Sequence, residues 1–375
     1  MRGALVRIAI DASSAAVPEG SGIAVYVTEL VRGLAAAARP GDTFAVCCRA
    51  SKFRHRARVP LPPGAAWRRA LLLEPFTSLL ARGLDVFHGA DARLPRCRGP
   101  ALVATVHDLF SLISAEFADD RFRAKKIRRY RDLAARAHVL VVPSEHTKRD
   151  VVARLGVDPG RIAVAPLGCG AGFGAQSEAN VAAARARLGL PPRYILTVGI
   201  ISTRKHTAGL VRAFRALRAR GAAGDTALVI AGKDGFGAEE THREAAGADK
   251  GTVVLLGYVP PEDLPPLYAG AAVYAFPSRY EGFGIPVLEA MASGVPVVAS
   301  DRASIPEVAG DAALLVDPED ERALAGALER ALADDALRGE LRTRGRARAA
   351  LFSWDRTARE TYAAYELAVR IAQER

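Results

Sequence analysis

Cysteine is scarce. The four present among 375 residues, Cys47, Cys48, Cys97 and Cys169, include no Cys-x-x-Cys pair, so neither a disulfide framework nor a cysteine metal site follows. Cys47 and Cys48 are adjacent and would point to opposite faces of a strand. No apolar run approaches the roughly 20 residues that a membrane-spanning helix needs. The start, MRGALVRIAIDASS, has too short an apolar stretch for a secretory leader and reads as a first strand, so a cytoplasmic chain is expected. Short repeats and low-complexity tracts are also missing, which excludes solenoid and fibrous classes. Met, Trp and Lys are thin while Ala, Arg and Gly abound, a coding bias that says little about function.

What is present is a globular composition. Hydrophobic residues make up 50% and charged residues 25% of the chain, enough apolar material for two cores at this length. The net charge of +11 points to an anionic partner. Arg121, Arg123, Lys125, Lys126, Arg128, Arg129 and Arg131 concentrate that charge in segment 121–131. Three readings stay open for it: a solvated helix face, peripheral contact with an anionic membrane or lipid-linked acceptor, and nucleic acid. The lack of interleaved aromatics weighs against nucleic acid.

Strand-like apolar runs alternate with helical segments, which predicts an α/β fold with parallel sheets covered on both faces. Expected strands are 6–11, 43–48, 86–88, 101–107, 139–143 and 162–166, with helices up to 38, through the basic run, and from the Ser144 cap to Gly156. A Gly-rich stretch and Pro191-Pro192 mark a linker, after which the pattern restarts. Strands are expected at 194–198, 227–231, 253–256, 273–276, 295–299 and 314–316, and helices at 207–220, 261–269 and 285–293. Two helices, 319–350 and 354–372, should finish the chain. The expected organisation is a first Rossmann-like domain at 1–170, a linker at 171–192, a second at 193–352 and a final helix within 353–375. Ligands of doubly wound sheets sit at the C-terminal ends of strands, so a cleft between the halves is the expected site.

Several short constellations could carry chemistry. Ser278 to Glu289 follows a strand and opens a helix, with Pro286 in the first turn and Gly294 as the stop. Gly282 and Gly284 would let the backbone approach a ligand, and the helix start offers N–H groups to phosphate. Glu281 and Glu289 could grip hydroxyls at two points of an extended ligand; equally, the glycines could merely make a turn. Arg204-Lys205 after the 194–198 strand suits a diphosphate, or is a surface loop. His107-Asp108 ends a strand, where a lone histidine is more often structural. Gly20-Ser21-Gly22-Ile23 lacks the third glycine of a dinucleotide fingerprint. Lys233 and the Gly257-Tyr258 turn sit at further strand ends.

The run Glu281-Gly282-Phe283-Gly284-Ile285-Pro286, continued by Glu289-Ala290-Met291-Ala292, Gly294 and Pro296-Val297, resembles the signature of the retaining glycosyltransferases of family 4, which have the GT-B fold. The resemblance continues through Ser300-Asp301, Pro306-Glu307-Val308-Ala309-Gly310 and Leu315-Val316-Asp317-Pro318. It implies two Rossmann-like domains facing a central cleft, with the C-terminal helix after Ser353-Trp354 crossing back to the first. By resemblance Glu289 binds the donor ribose, Glu281 contacts the transferred sugar, and the backbone of Gly282, Phe283, Gly284 and Ile285 serves sugar and diphosphate. Arg204 and Lys205 would stabilise the departing nucleoside diphosphate. Many members place Arg directly after the strand-end Gly, where this chain has Ile200. His107 would contact the donor sugar, Gly22 would belong to the glycine loop facing the diphosphate, and Lys233 and Tyr258 would border the base.

Asp-x-Asp, which holds a metal in the other major glycosyltransferase fold, does not occur, so metal-independent transfer with no cofactor is expected. The resemblance favours GDP-mannose as donor over a UDP-sugar, a hexose transferred with retention, and a polysaccharide or lipid-linked acceptor. A GT-B sugar-nucleotide epimerase and a non-catalytic nucleic-acid-binding protein are the competing readings. The defective glycine fingerprint disfavours a dehydrogenase.

Overall fold

The computed structural model describes residues 6–17, 22–59, 61–64, 66–74 and 76–374. The chain divides into two compact units, one made of Met1–Leu112, Arg121–Gly168 and Ser353–Arg375, the other of Ile113–Asp120 and Cys169–Phe352. Gly20 and Ser21, part of the expected glycine loop, lie outside the described residues.

In the first unit the apolar runs become β1 Arg7–Asp11, β2 Thr43–Arg49, β3 Trp67–Leu72, β4 Val86–Gly89, β5 Ala101–Thr105, β6 Val139–Val142 and β7 Ile162–Val164. They form one parallel sheet in the order β3-β2-β1-β4-β5-β6-β7. Ile8, Ala9 and Ile10 are buried on consecutive positions of β1, as a strand covered on both faces requires. β3 is absent from the sequence-based expectation. Its exposed Arg68 and Arg69 break the apolar run, and it pairs only with β2, where Trp67 stacks on Phe44 at 4.1 Å between ring centroids.

The second unit holds β8 Tyr194–Val198, β9 Ala227–Ala231, β10 Val253–Gly257, β11 Val273–Phe276, β12 Val297–Ser300 and β13 Leu314–Val316. Their order, β10-β9-β8-β11-β12-β13, repeats the topology of the first six strands. Each sheet therefore has one point at which the winding reverses, between β1 and β4 and between β8 and β11.

Helix boundaries follow local chemistry. Ser144 Oγ accepts from Thr147 N at 3.0 Å and Gly156 closes the same helix in the left-handed region at φ 64°. The expected single helix over 319–350 is two, Glu321–Ala333 and Asp335–Ala349. Asp334 adopts extended geometry between them and caps the second, accepting from Leu337 N at 2.9 Å. The helix Ala238–Ala246, capped by no side chain, was likewise unanticipated. The last helix, Trp354–Gln373, packs in the first unit, where Thr357 Oγ1 donates to Pro166 O at 2.6 Å.

Candidate active site

The reversal point of the second unit gathers the principal charges. β8 runs into Gly199 and then Arg204 and Lys205, while β11 runs into Ser278 and Glu281. Arg279 N donates to Arg204 O at 2.9 Å, tying the two loops together. Arg204 Nη1 reaches Tyr280 O at 2.6 Å and Glu281 Oε1 at 2.8 Å. Lys205 Nζ lies 2.7 Å from the same oxygen, and Ser278 Oγ donates to it at 2.6 Å. All three donors thus address Oε1 of Glu281. Lys205 Nζ also stands 4.3 Å from the centre of the Phe276 ring, a cation–π contact. Burial alone would push the Glu281 carboxyl up, but the charges of Arg204 and Lys205 outweigh it and hold it down at about 2.

The turn after Glu281 is built tightly. Ser304 is buried and its hydroxyl lies 2.9 Å from Glu281 O and 2.8 Å from Phe283 O. Phe283 packs edge-on against Phe352. Gly284 has φ 115°, and a Cβ there would stand 2.7 Å from Ile305 Cδ1, so both backbone and space call for glycine. The helix Ile285–Ala292 then starts without a side-chain cap, leaving its first amides to be met by other means.

One turn into that helix, Glu289 Oε2 accepts from Tyr268 Oη at 2.9 Å. Burial pushes its carboxyl up to about 7, against the pull of Tyr268 and the Lys205 charge. Two carboxylates eight positions apart are therefore held in opposite states by their surroundings, one firmly ionised and one titrating near neutrality.

The strand ends beside this cluster are shaped by close backbone approach. A Cβ on Gly232 would stand 1.8 Å from Gly199 O, so the ends of β8 and β9 meet only because residue 232 has none. We expect Gly232→Ala to lower unfolding stability by about 3 kcal/mol, measurable by urea denaturation; a loss below half of that would show that the strand ends can part cheaply. Lys233 Nζ sits 4.6 Å from the centre of the exposed Tyr258 ring, bringing those two expected residues together.

In the first unit His107 is partly buried after β5. Its Nε2 lies 3.0 Å from Ala90 O and the Tyr26 ring meets it edge-on at 4.7 Å. Burial lowers its pKa, so at neutral pH it is an uncharged imidazole. Gly22 is exposed at the start of the helix Gly22–Ala37, with nothing near its missing side chain. Among the described residues no group of three or more His, Cys, Asp or Glu is arranged to hold a metal ion.

Residues 192–334 match the family model described as Glycosyl transferases group 1, and residues 20–169 match Glycosyltransferase Family 4. O-antigen chain mannosyltransferase B of Escherichia coli is 34% identical over 289 residues, covering 75% of this chain and 74% of that protein. The chain belongs to glycosyltransferase family 4. Among solved structures, sucrose-phosphate synthase of Thermosynechococcus elongatus has a TM-score of 0.72 at 24% identity, over 96% of this chain and 98% of the other. The Anabaena protein Alr3699/HepE, crystallised with UDP and glucose, has a TM-score of 0.73 at 16% identity, over 96% and 99%. The two parallel-sheet units and helical C terminus of this glycosyltransferase are those of the GT-B fold.

A buried network in this glycosyltransferase was not anticipated from its sequence. His88, fully buried on β4, hydrogen-bonds Tyr365 Oη and Thr105 Oγ1, each at 2.8 Å, and Tyr26 Oη lies 2.8 Å from the same threonine oxygen. Burial pushes the His88 imidazole down to about 3, so it stays neutral. Tyr26, whose ring edge meets His107, is thereby fixed by the strand and the final helix of its own unit. A histidine inside a four-residue strand was the only sequence signal.

Proposed function

We propose that this family 4 glycosyltransferase moves a hexose, mannose foremost, from a nucleotide sugar to a polysaccharide or lipid-linked acceptor with retention at the anomeric carbon. The observation that carries the reading is the convergence of Arg204, Lys205 and Glu281 at a strand-end reversal point beside an uncapped helix start. The cations and the helix amides meet the charge that grows on the leaving diphosphate. Glu281 keeps both cations in place through Oε1 and turns Oε2 to a sugar hydroxyl. Glu289 accepts from the donor ribose, and His107, neutral, contacts the donor sugar. Lys233 and Tyr258 border the base, and Gly22 opens the helix facing the diphosphate. The C1–O bond to phosphate breaks while the acceptor oxygen bonds C1 on the same face, and the acceptor proton passes to the departing phosphate oxygen.

GDP-mannose is the favoured donor, in keeping with a mannosyltransferase relative in Escherichia coli; a UDP-sugar is the second reading, in keeping with a structural neighbour holding UDP and glucose. No described helix is long and apolar enough to cross a membrane. The exposed Arg121, Lys125, Arg128 and Arg131 supply a peripheral contact with an anionic membrane, at roughly 1 kcal/mol each.

The test is a thermal-shift screen across GDP- and UDP-sugars. One nucleotide family should stabilise the wild type, and Glu289→Ala should abolish the shift. Because Glu289 must be ionised to accept from two hydroxyls, binding should strengthen as pH rises through about 7, and Glu289→Gln should flatten that dependence. Equal shifts in wild type and Glu289→Ala would remove the ribose contact from this residue.

A further inference from the structure

The basic helix Asp120–Arg136 has two sides that differ in surroundings. Arg121, Lys125, Arg128 and Arg131 are exposed, whereas Lys126 and Arg129, one turn apart, are half-buried on the side that also carries buried Tyr130 and Leu133. Lys126 Nζ stands 5.8 Å from the Tyr130 ring centre and 5.5 Å from that of Phe122. Solvation of a helix surface accounts for the first set but not for the second.

The inward pair shares its environment with the reversal point of the first unit. After β4 the chain turns back so sharply that a Cβ on Gly89 would stand 1.8 Å from Arg93 O. Ala92 N donates to Thr105 O at 3.1 Å, and Ser14 Oγ, just past β1, donates to Asp91 Oδ2 at 2.8 Å. The loop bearing Asp91 and Arg93 is therefore pinned across the ends of β1, β4 and β5. Lys126 feels the charges of Asp108, Asp91, Arg129 and Arg93, and Arg129 feels those of Arg93, Asp91 and Arg49. Arg49 is already matched by Asp11 at 2.9 Å. Arg93, Lys126 and Arg129 are not: among the described residues no carboxylate lies within ion-pairing distance of any of them, and the buried Nε of Arg93 has no hydrogen-bond partner.

We propose that Arg93, Lys126 and Arg129 bind a phosphoryl group carried by the acceptor, at the β1/β4 reversal point. Two guanidinium forks and one ammonium, from two different elements, offer several donors to an oxyanion with several oxygens. Asp91 and Asp108, whose charges reach Lys126, would accept from hydroxyls of the acceptor sugar. The assignment rests on the glycosyl-transfer reading and narrows it to acceptors bearing a phosphate ester.

Inorganic pyrophosphate titrated calorimetrically into protein presaturated with GDP or UDP tests it. Lys126→Gln/Arg129→Gln should weaken pyrophosphate binding by about tenfold or more, the worth of a lost charge-assisted bond. Arg121→Gln/Arg128→Gln, the same charge change on the exposed side, should alter it less than about threefold. Nucleotide affinity should be unchanged in both, and far-UV circular dichroism and melting temperatures matching the wild type report that the variants fold. Competition against pyrophosphate by a soluble hexose 1-phosphate, or by a polyprenyl phosphate in detergent micelles, then separates a free sugar phosphate from a lipid-borne one. Equal pyrophosphate affinity in all three proteins, or a matching loss of nucleotide affinity in the inward variant, overturns the assignment. Should neither nucleotide bind, the reading of the second unit fails, and the same titration into free protein still decides this one.

Discussion

Lys205→Ala is expected to lower kcat by about 100- to 1,000-fold while moving the donor KM far less. The leaving diphosphate gains charge only as its bond to the sugar breaks, so a cation aimed there stabilises the transition state more than the bound donor. Lys205 is suited to that work because its ammonium is fixed on two sides, by Glu281 Oε1 at 2.7 Å and by the Phe276 ring at 4.3 Å. Arg204 differs. Its Nη1 also holds the Tyr280 carbonyl at 2.6 Å, a contact that ties the two loops together, so Arg204→Ala should lose stability together with rate. Initial rates at saturating donor, read beside melting temperatures, separate the two roles. A Lys205→Ala enzyme within threefold of the wild-type kcat would take the leaving-group role away from this lysine.

Glu281→Gln is expected to cost about 3 kcal/mol of stability at neutral pH, because it leaves two largely buried cations facing each other. The pH dependence gives the sharper signature. The folded carboxyl titrates near 2, below its ordinary 4.5, so its contribution is present above about 4.5 and fades as pH falls from there through 2. Wild type and variant should therefore differ fully at pH 7 and converge as pH drops toward 2. Urea unfolding at several pH values measures this; a difference that stays constant down to pH 3 would mean that charge is not what Glu281 contributes.

Much of the molecule was readable from its residues because parallel sheets covered on both faces leave long apolar runs. β8, β9, β11 and β13 fall where those runs predict. The misses have local causes. β3 is an edge strand whose exposed arginines interrupt the apolar pattern, and the Ala-rich periodicity of 319–350 runs through the break at Asp334, whose side chain caps the second helix. The site was legible residue by residue but not as an assembly. Arg204 and Glu281 are 77 positions apart, and nothing in either segment says that β8 and β11 are neighbours. The sheet order makes them so. The Lys126 and Arg129 side of the basic helix was hidden for a similar reason: a run of like charges does not say which members face inward.

The sharing of one carboxylate oxygen by two cations also bears on what happens after the bond is made. Arg204, Lys205 and Glu281 together carry a single excess positive charge, which, on the proposed reading, is what the spent nucleotide meets in place of two. A weaker grip on a product speeds its departure, so on that reading the residue that fixes the cations would also ease release of the by-product.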